Sequence, residues 1–135
     1  MAAPQLTLKP DEAFFILLKA REFDEEADRS DSDPDAGEDT DQGIADGAAG
    51  WETLAELAGA LRSLNDDARL DLIALIWIGR GDFALSEWSD ARHAAADIGR
   101  GRFVRYVTGI PVVSDYLDEA FSQVGWSFEQ YMEAV

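Results

Sequence analysis

The chain has 135 residues, a formal net charge of −17 at pH 7, fourteen aromatic residues and no cysteine. This length and apolar content fit one domain with its own core. The composition excludes disulfides and thiolate chemistry and, with a single histidine, a Cys/His zinc site. The N-terminus lacks a secretory pattern and no apolar run approaches about 20 residues, so we expect a soluble, cytoplasmic protein that does not enter a membrane.

The acidic residues are concentrated between Glu22 and Asp46, where twelve of twenty-five residues are Asp or Glu and Arg29 is the one base. We call this stretch the acidic window. It carries −11 of the net charge, and the rest of the chain carries −6. Residues 28–50 contain almost no apolar side chain that could offset the entropy of ordering them. We therefore predict a mobile acidic loop over 28–50, inside a single helical domain of residues 1–135.

The first helix is predicted from Pro10 to about Ala27, because proline suits a first helical position and apolar residues recur at three- and four-residue spacings. A second helix is predicted to begin near Trp51 and to end near Leu64. Both helices have one apolar stripe, which is typical of helices that cover a core.

The third predicted helix, Asp67 to Ile78, is apolar nearly all round, which is typical of a buried central helix. Asn65 is expected to cap its start, and Gly79 and Gly81 to end it. A buried parallel strand over 72–78 is the competing interpretation, but no partner strand is visible in the sequence.

Gly99, Gly109 and Gly125 end three further predicted helices, and Ser127 followed by Gln130 is a capping-box pattern for a last short one. The predicted fold class is therefore all-α: a compact single-domain bundle of about five to seven helices around the buried central helix.

The run from Gly79 to Ala84 formally matches a dinucleotide-binding pattern. That pattern binds a pyrophosphate only where it follows a strand and opens a helix, whereas here it closes a helix. We therefore predict no cofactor.

A calcium-binding loop is the metal alternative, because carboxylates alternate along Asp31-Ser32-Asp33-Pro34-Asp35. The match is incomplete, since Ala36 stands where such loops need glycine and Gln42 where they need glutamate. We predict no metal site, and the calcium alternative would use Asp31, Asp33, Asp35 and Asp39.

The acidic window, the one basic cluster and the aromatic tail are the candidate interaction sites. The window suits a basic partner, and the basic cluster can contact nucleic acid or the window itself. The tail can form a partner surface, including that of a homodimer, or close the core. The residues are Asp31, Asp33, Asp35, Glu38, Asp39 and Asp41 in the window, Arg100, Arg102 and Arg105 in the cluster, and Trp126, Phe128 and Tyr131 in the tail.

Three stretches resemble a small uncharacterised bacterial family catalogued as a domain of unknown function. One is the opening helix with Phe14-Phe15 and residues 19–24. The second is the core Leu75-Ile76-Trp77-Ile78-Gly79-Arg80-Gly81-Asp82-Phe83, and the third is residues 109–119, Gly-Ile-Pro-Val-Val-Ser-Asp-Tyr-Leu-Asp-Glu. The resemblance implies a single helical domain and brings no catalytic residue, cofactor or partner.

The leading functional hypothesis is a non-catalytic, acidic, helical interaction module that regulates a basic protein partner, without direct binding of nucleic acid. The alternative is a DNA mimic that inhibits a nucleic-acid-binding protein, which needs carboxylates held at roughly phosphate spacing. The third is an enzyme that uses Asp or Glu, with His93 as the one histidine, although no spacing indicates a triad.

Overall fold

The computed structural model describes residues 4–31, 40–127 and 129, and within them the side chains of 4–26, 51–127 and 129. Two short 3₁₀ turns, Leu85–Glu87 and Arg100–Arg102, precede the fourth and fifth helices. The described residues contain no strand, so the predicted all-α class is confirmed. The helices are α1 Pro10–Asp31, α2 Thr40–Arg62, α3 Asp66–Arg80, α4 Trp88–Ala95, α5 Phe103–Thr108 and α6 Val113–Gln123.

Helix α3 is the buried centre of the fold, as its all-round apolar pattern predicts, and it packs against α4 and α6. The Asn65 side chain accepts a hydrogen bond of 2.8 Å from the backbone N–H of Ala68, which confirms the predicted cap. Gly81 ends the helix with φ +97°, where glycine carries no Cβ penalty. The competing strand interpretation is wrong.

Gly79 does not end α3, contrary to the prediction, because it lies within the helix at the crossing with α6. A Cβ atom at this position would overlap the backbone carbonyl of Tyr116. Glycine is therefore needed here for close approach of two helices, and only Gly81 provides the left-handed stop.

Helix α1 lies between α2 and α6 and runs antiparallel to α2. Two contacts join α1 to α2. Glu26, toward the C-terminal end of α1, accepts a 2.9 Å hydrogen bond at Oε1 from Thr53 Oγ1. Lys19, about two turns closer to the N-terminus of α1, pairs with Glu56. The predicted loop over 28–50 is wrong for residues 28–31 and 40–50, whose backbone is helical. Residues 32–39 lie outside the described ranges, so the mobility of the window stays a prediction.

Asp71 joins three parts of the fold although it is a charged residue that is 1% exposed. It accepts hydrogen bonds from the backbone N–H groups of Thr7 and Leu8, at 2.6 and 3.0 Å, and from Arg92 Nε at 2.8 Å. Burial of a carboxylate is tolerated when its oxygens are hydrogen-bonded and its charge is paired. Asp71 thereby holds the N-terminal segment and α4 against α3.

Asp24 of α1 caps α6 from outside that helix. Its Oδ2 accepts hydrogen bonds from the backbone N–H and the hydroxyl of Ser114, at 3.0 and 2.7 Å. A carboxylate at this end also suits the helix dipole. The cap follows Val112, which takes φ +50° and is half exposed.

Candidate interaction surface

Two exposed carboxylates, Glu22 and Glu56, lie at the seam between α1 and α2, where both contact Lys19. Two more, Glu25 and Glu52, lie about one turn away on the same helices, and we call the four residues the acidic face. Glu22 and Glu25 are three residues apart on α1, and Glu52 and Glu56 are four apart on α2, so each pair shares one helix side. Lys19 joins the two pairs, because its Nζ lies 2.9 Å from Glu56 and 3.4 Å from Glu22.

The electrostatics of the acidic face centre on Lys19. The hydrogen bond with Glu56 raises the pKa of Lys19, partial burial lowers it, and the hydrogen bond and charge of Glu22 raise it again, with a net rise above the ordinary 10.5. Lys19 is therefore fully charged at neutral pH. Among the described residues, Lys19 is the one base that forms an ion pair with any of these four carboxylates, so the face keeps an excess of negative charge.

A shallow groove of about 290 Å³ continues the same seam toward the N-terminus of α1. Ile16 is 1% exposed and lies at its base, whereas Phe15 is 40% exposed and lies at its edge. Lys19 Nζ lies 5.7 Å from the centroid of the Phe15 ring, so the groove and the acidic face meet at this lysine. The lining residues are Asp11, Glu12, Phe15, Ile16, Ala60 and Ser63.

The predicted arginine cluster lies near the C-terminal end of α2, where Ala60 and Ser63 also line the groove. Arg100 pairs with Asp66 at 2.8 Å, and Arg102 and Arg105 are exposed, with no ion pair to any residue described. The neighbouring Arg69 lies 5.4 Å from the Phe103 ring and donates to the carbonyl of Arg62, the last residue of α2.

This placement bears on the predicted contact between the arginine cluster and the acidic window. Sixteen residues separate Asp46 from Arg62 along α2, which is about 24 Å of helix. Charges that far apart are screened at physiological salt, where the Debye length is about 8 Å. The intramolecular interpretation stays a prediction, because residues 32–39 and the side chains of residues 40–46 lie outside those that the structure describes.

The other predicted interaction residues are placed unevenly. Trp126 packs on Phe121 and Phe14, with ring centroids 5.4 and 6.4 Å apart, so it covers the core. Asp31 is the last residue of α1 and Asp41 the second of α2, and only their backbone is described. The remaining candidates lie outside the described residues: Asp33, Asp35, Glu38, Asp39, Phe128 and Tyr131.

The metal prediction is tested only in part. In the ranges that the structure describes, no group of three or more His, Cys, Asp or Glu side chains could hold a metal ion. Three of the four calcium candidates lie beyond those ranges, so the calcium alternative stays untested.

Residues 79–84, which formally match the dinucleotide-binding pattern, close α3 and do not open a helix. They lie beside an aromatic cluster. Trp77 Nε1 donates a 2.7 Å hydrogen bond to the Tyr106 hydroxyl, and the Trp77 ring stacks on Phe83 with centroids 5.9 Å apart. Arg80 pairs with Asp82, Nε to Oδ2, at 2.7 Å. Burial lowers the pKa of Arg80, but the hydrogen bonds with Asp82 and Tyr106 raise it further than burial lowers it.

The comparison with family models decides the family. A model described as "Protein of unknown function (DUF3775)" matches residues 54–126, which is more than half of the chain. The chain belongs to the DUF3775 family. No match emerged among curated proteins or among solved structures.

The DUF3775 match runs from the middle of α2 to Trp126. It therefore includes Gly79, Asp71, the Trp77 cluster and the α2 side of the seam with Glu56. Helix α1 and the acidic window lie outside the matched residues, so the acidic face combines residues from both parts of this DUF3775 protein.

Sequence reasoning missed the residues that build the seam. Phe15, Lys19 and Glu56 were not candidates, although the four-residue spacing of Glu52 and Glu56 was a signal for a shared helix side.

His93, the histidine of the enzyme alternative, is exposed on α4 and does not line the groove. No helix among the described residues combines the length and apolar character needed to cross a membrane.

Proposed function

We propose that this DUF3775 protein is a cytoplasmic, non-catalytic, acidic interaction module that regulates a basic protein partner. The observation that carries the proposal is the acidic face, where Lys19 pairs with Glu22 and Glu56 and two further exposed carboxylates, Glu25 and Glu52, lie about one turn away on the same two helices. A surface with an excess of one charge attracts partners of the opposite charge over long range.

The ion pairs of the body support this proposal. Outside the acidic window the sequence has ten bases, and six of them already pair with carboxylates: Lys19, Arg21, Arg69, Arg80, Arg92 and Arg100. In the part of the chain that the structure describes, only Lys19 of these bases is paired with a residue of the window, Glu22, and the other five pair with carboxylates outside it. Its charge is therefore available to a partner.

The test is a pull-down with the immobilised full chain from cell lysate at low and at high salt. Basic proteins should be retained at low salt and released at high salt, because attraction between exposed charges is screened. A variant with Glu22, Glu25, Glu52 and Glu56 changed to glutamine should retain markedly less.

The matched control removes the same charge elsewhere. Four exposed carboxylates away from the seam, Asp90, Asp97, Asp115 and Glu119, are changed to their amides. This variant should retain basic proteins as the wild type does. An empty low-salt sample, or equal loss in both variants, would contradict a specific acidic face.

The DNA-mimic alternative is favoured by one observation, the helical backbone over residues 22–31 and 40–46. Positions four apart on a helix are about 6 Å apart along its axis, within reach of the few-ångström spacing of phosphates. Duplex DNA would displace the captured protein far more effectively than polyglutamate of the same total charge if the chain is a mimic, and no more effectively otherwise.

A further inference from the structure

We infer that the groove at Phe15 and the acidic face form one docking site, and that its occupant is a basic amphipathic helix of the protein partner. This inference rests on the proposed function and names the site and the chemistry of the partner.

The groove provides an apolar contact that the chain leaves uncovered. Phe15 is 40% exposed, although large aromatic side chains usually bury most of their surface, and Ile16 and Ala60 lie beside it. Aromatic residues at such positions act as anchors in protein interfaces. An apolar side chain of a partner would remove this surface from water.

The seam has the length and direction that suit a helix. Asp11, Phe15, Lys19 and Glu22 follow each other at spacings of three and four along α1, so they share one side over about 16 Å. A second helix laid along α1 and α2 meets them with its own residues at the same spacing, which is the helix-in-groove mode of recognition.

The charges along the seam select a basic occupant. Asp11 and Glu12 line the groove, and the acidic face lies one to three turns further along α1. An anionic segment would be repelled at both ends, whereas a helix with one apolar residue followed by lysines or arginines is attracted throughout. Lys19, the cation between the groove and the acidic face, is already paired with Glu22 and Glu56.

The test uses two synthetic helical peptides of equal length and charge, one with lysines and leucines and the other with alanine in place of every leucine. Binding to the full chain is measured by fluorescence anisotropy at low salt. We expect the leucine peptide to bind more tightly, and Phe15→Ser to weaken it about tenfold without changing the alanine peptide. The matched control is Trp51→Ser, since Trp51 is 69% exposed and does not line the groove.

Three outcomes separate the inference from the proposed function. If Phe15→Ser weakens only the leucine peptide and Trp51→Ser weakens neither, the docking site is supported. If both peptides bind equally and ignore Phe15→Ser, but the four-glutamine variant loses both, the docking site is overturned and the acidic module stands. If neither peptide binds the wild type, both proposals are overturned.

Discussion

Lys19 and Glu56 join α1 to α2 through an ion pair of 2.9 Å across 37 positions of the chain, and the same lysine also contacts Glu22 at 3.4 Å. This lysine is both a link between two helices and the internal competitor of any basic ligand at the acidic face.

Replacement of Lys19 by glutamine should therefore strengthen the binding of a basic peptide, because Glu22 and Glu56 lose their internal cation. The gain should be about two- to fivefold in affinity at low salt, the size of one exposed ion pair. Anisotropy titration of wild type and variant measures it. A weaker affinity in a folded variant would show that the lysine helps to bind the ligand.

The same lysine predicts a pH dependence of stability with a defined sign. Its pKa is raised in the folded protein above the ordinary 10.5, mainly by Glu56, so its stabilising pairing is fully present below the unfolded value and is lost as pH rises through the folded value. The difference in melting temperature between wild type and Lys19→Gln should stay constant from neutral pH to about 9 and shrink above 10.5. A difference that grows with pH would contradict the assignment.

Gly79→Ala should destabilise the fold, because the added methyl group overlaps the carbonyl of Tyr116 and forces α3 and α6 apart. We expect a loss of about 1–3 kcal/mol in the free energy of unfolding. The matched control is Gly59→Ala, since a methyl group added at Gly59 on α2 would meet no atom within 4 Å. That change should raise stability by about 0.5–1 kcal/mol. Urea unfolding of both variants decides the point.

Asp71→Ala should be among the most damaging single changes, because it leaves Arg92 and two backbone N–H groups without their buried acceptor. We expect a loss of about 3 kcal/mol or more. Asp67→Asn removes the other, exposed partner of Arg92, at 3.5 Å, and should cost less than about 1 kcal/mol. Faster amide exchange at Thr7 and Leu8 in the Asp71 variant alone would confirm that this carboxylate holds the N-terminal segment.

Val112→Gly should stabilise the protein or leave it unchanged, because a β-branched residue at φ +50° is strained. The left-handed conformation costs about 1–2 kcal/mol in an L-residue, and the greater freedom of glycine in the unfolded chain offsets part of that gain. Thermal unfolding measures the net effect. A clear loss of stability would mean that the half-exposed valine side chain contributes packing that outweighs its strain.

Local patterns in the sequence determined the helical class and the central element. The near-continuous apolar run of α3, the asparagine at its start and the left-handed Gly81 at its end act within a few residues, so they can be recognised without knowledge of the fold. Trp126 packs over the core, which agrees with the interpretation that this part of the aromatic tail closes the core. The last turn of α1, residues 28–31, and the first part of α2, residues 40–50, were not predicted as helix. They have few apolar residues, and apolar periodicity reports burial rather than backbone conformation.

Only the tertiary structure decided which residues act together. Lys19 meets Glu56, Asp71 meets Arg92, and Gly79 meets Tyr116 because helices that are distant in sequence pack side by side. Such pairings depend on the whole packing arrangement and leave no periodic signal in the chain. The amount and sign of the charge can be read from composition. Only the packing of α1 on α2 brings Glu22 and Glu56 together at Lys19, beside an apolar groove.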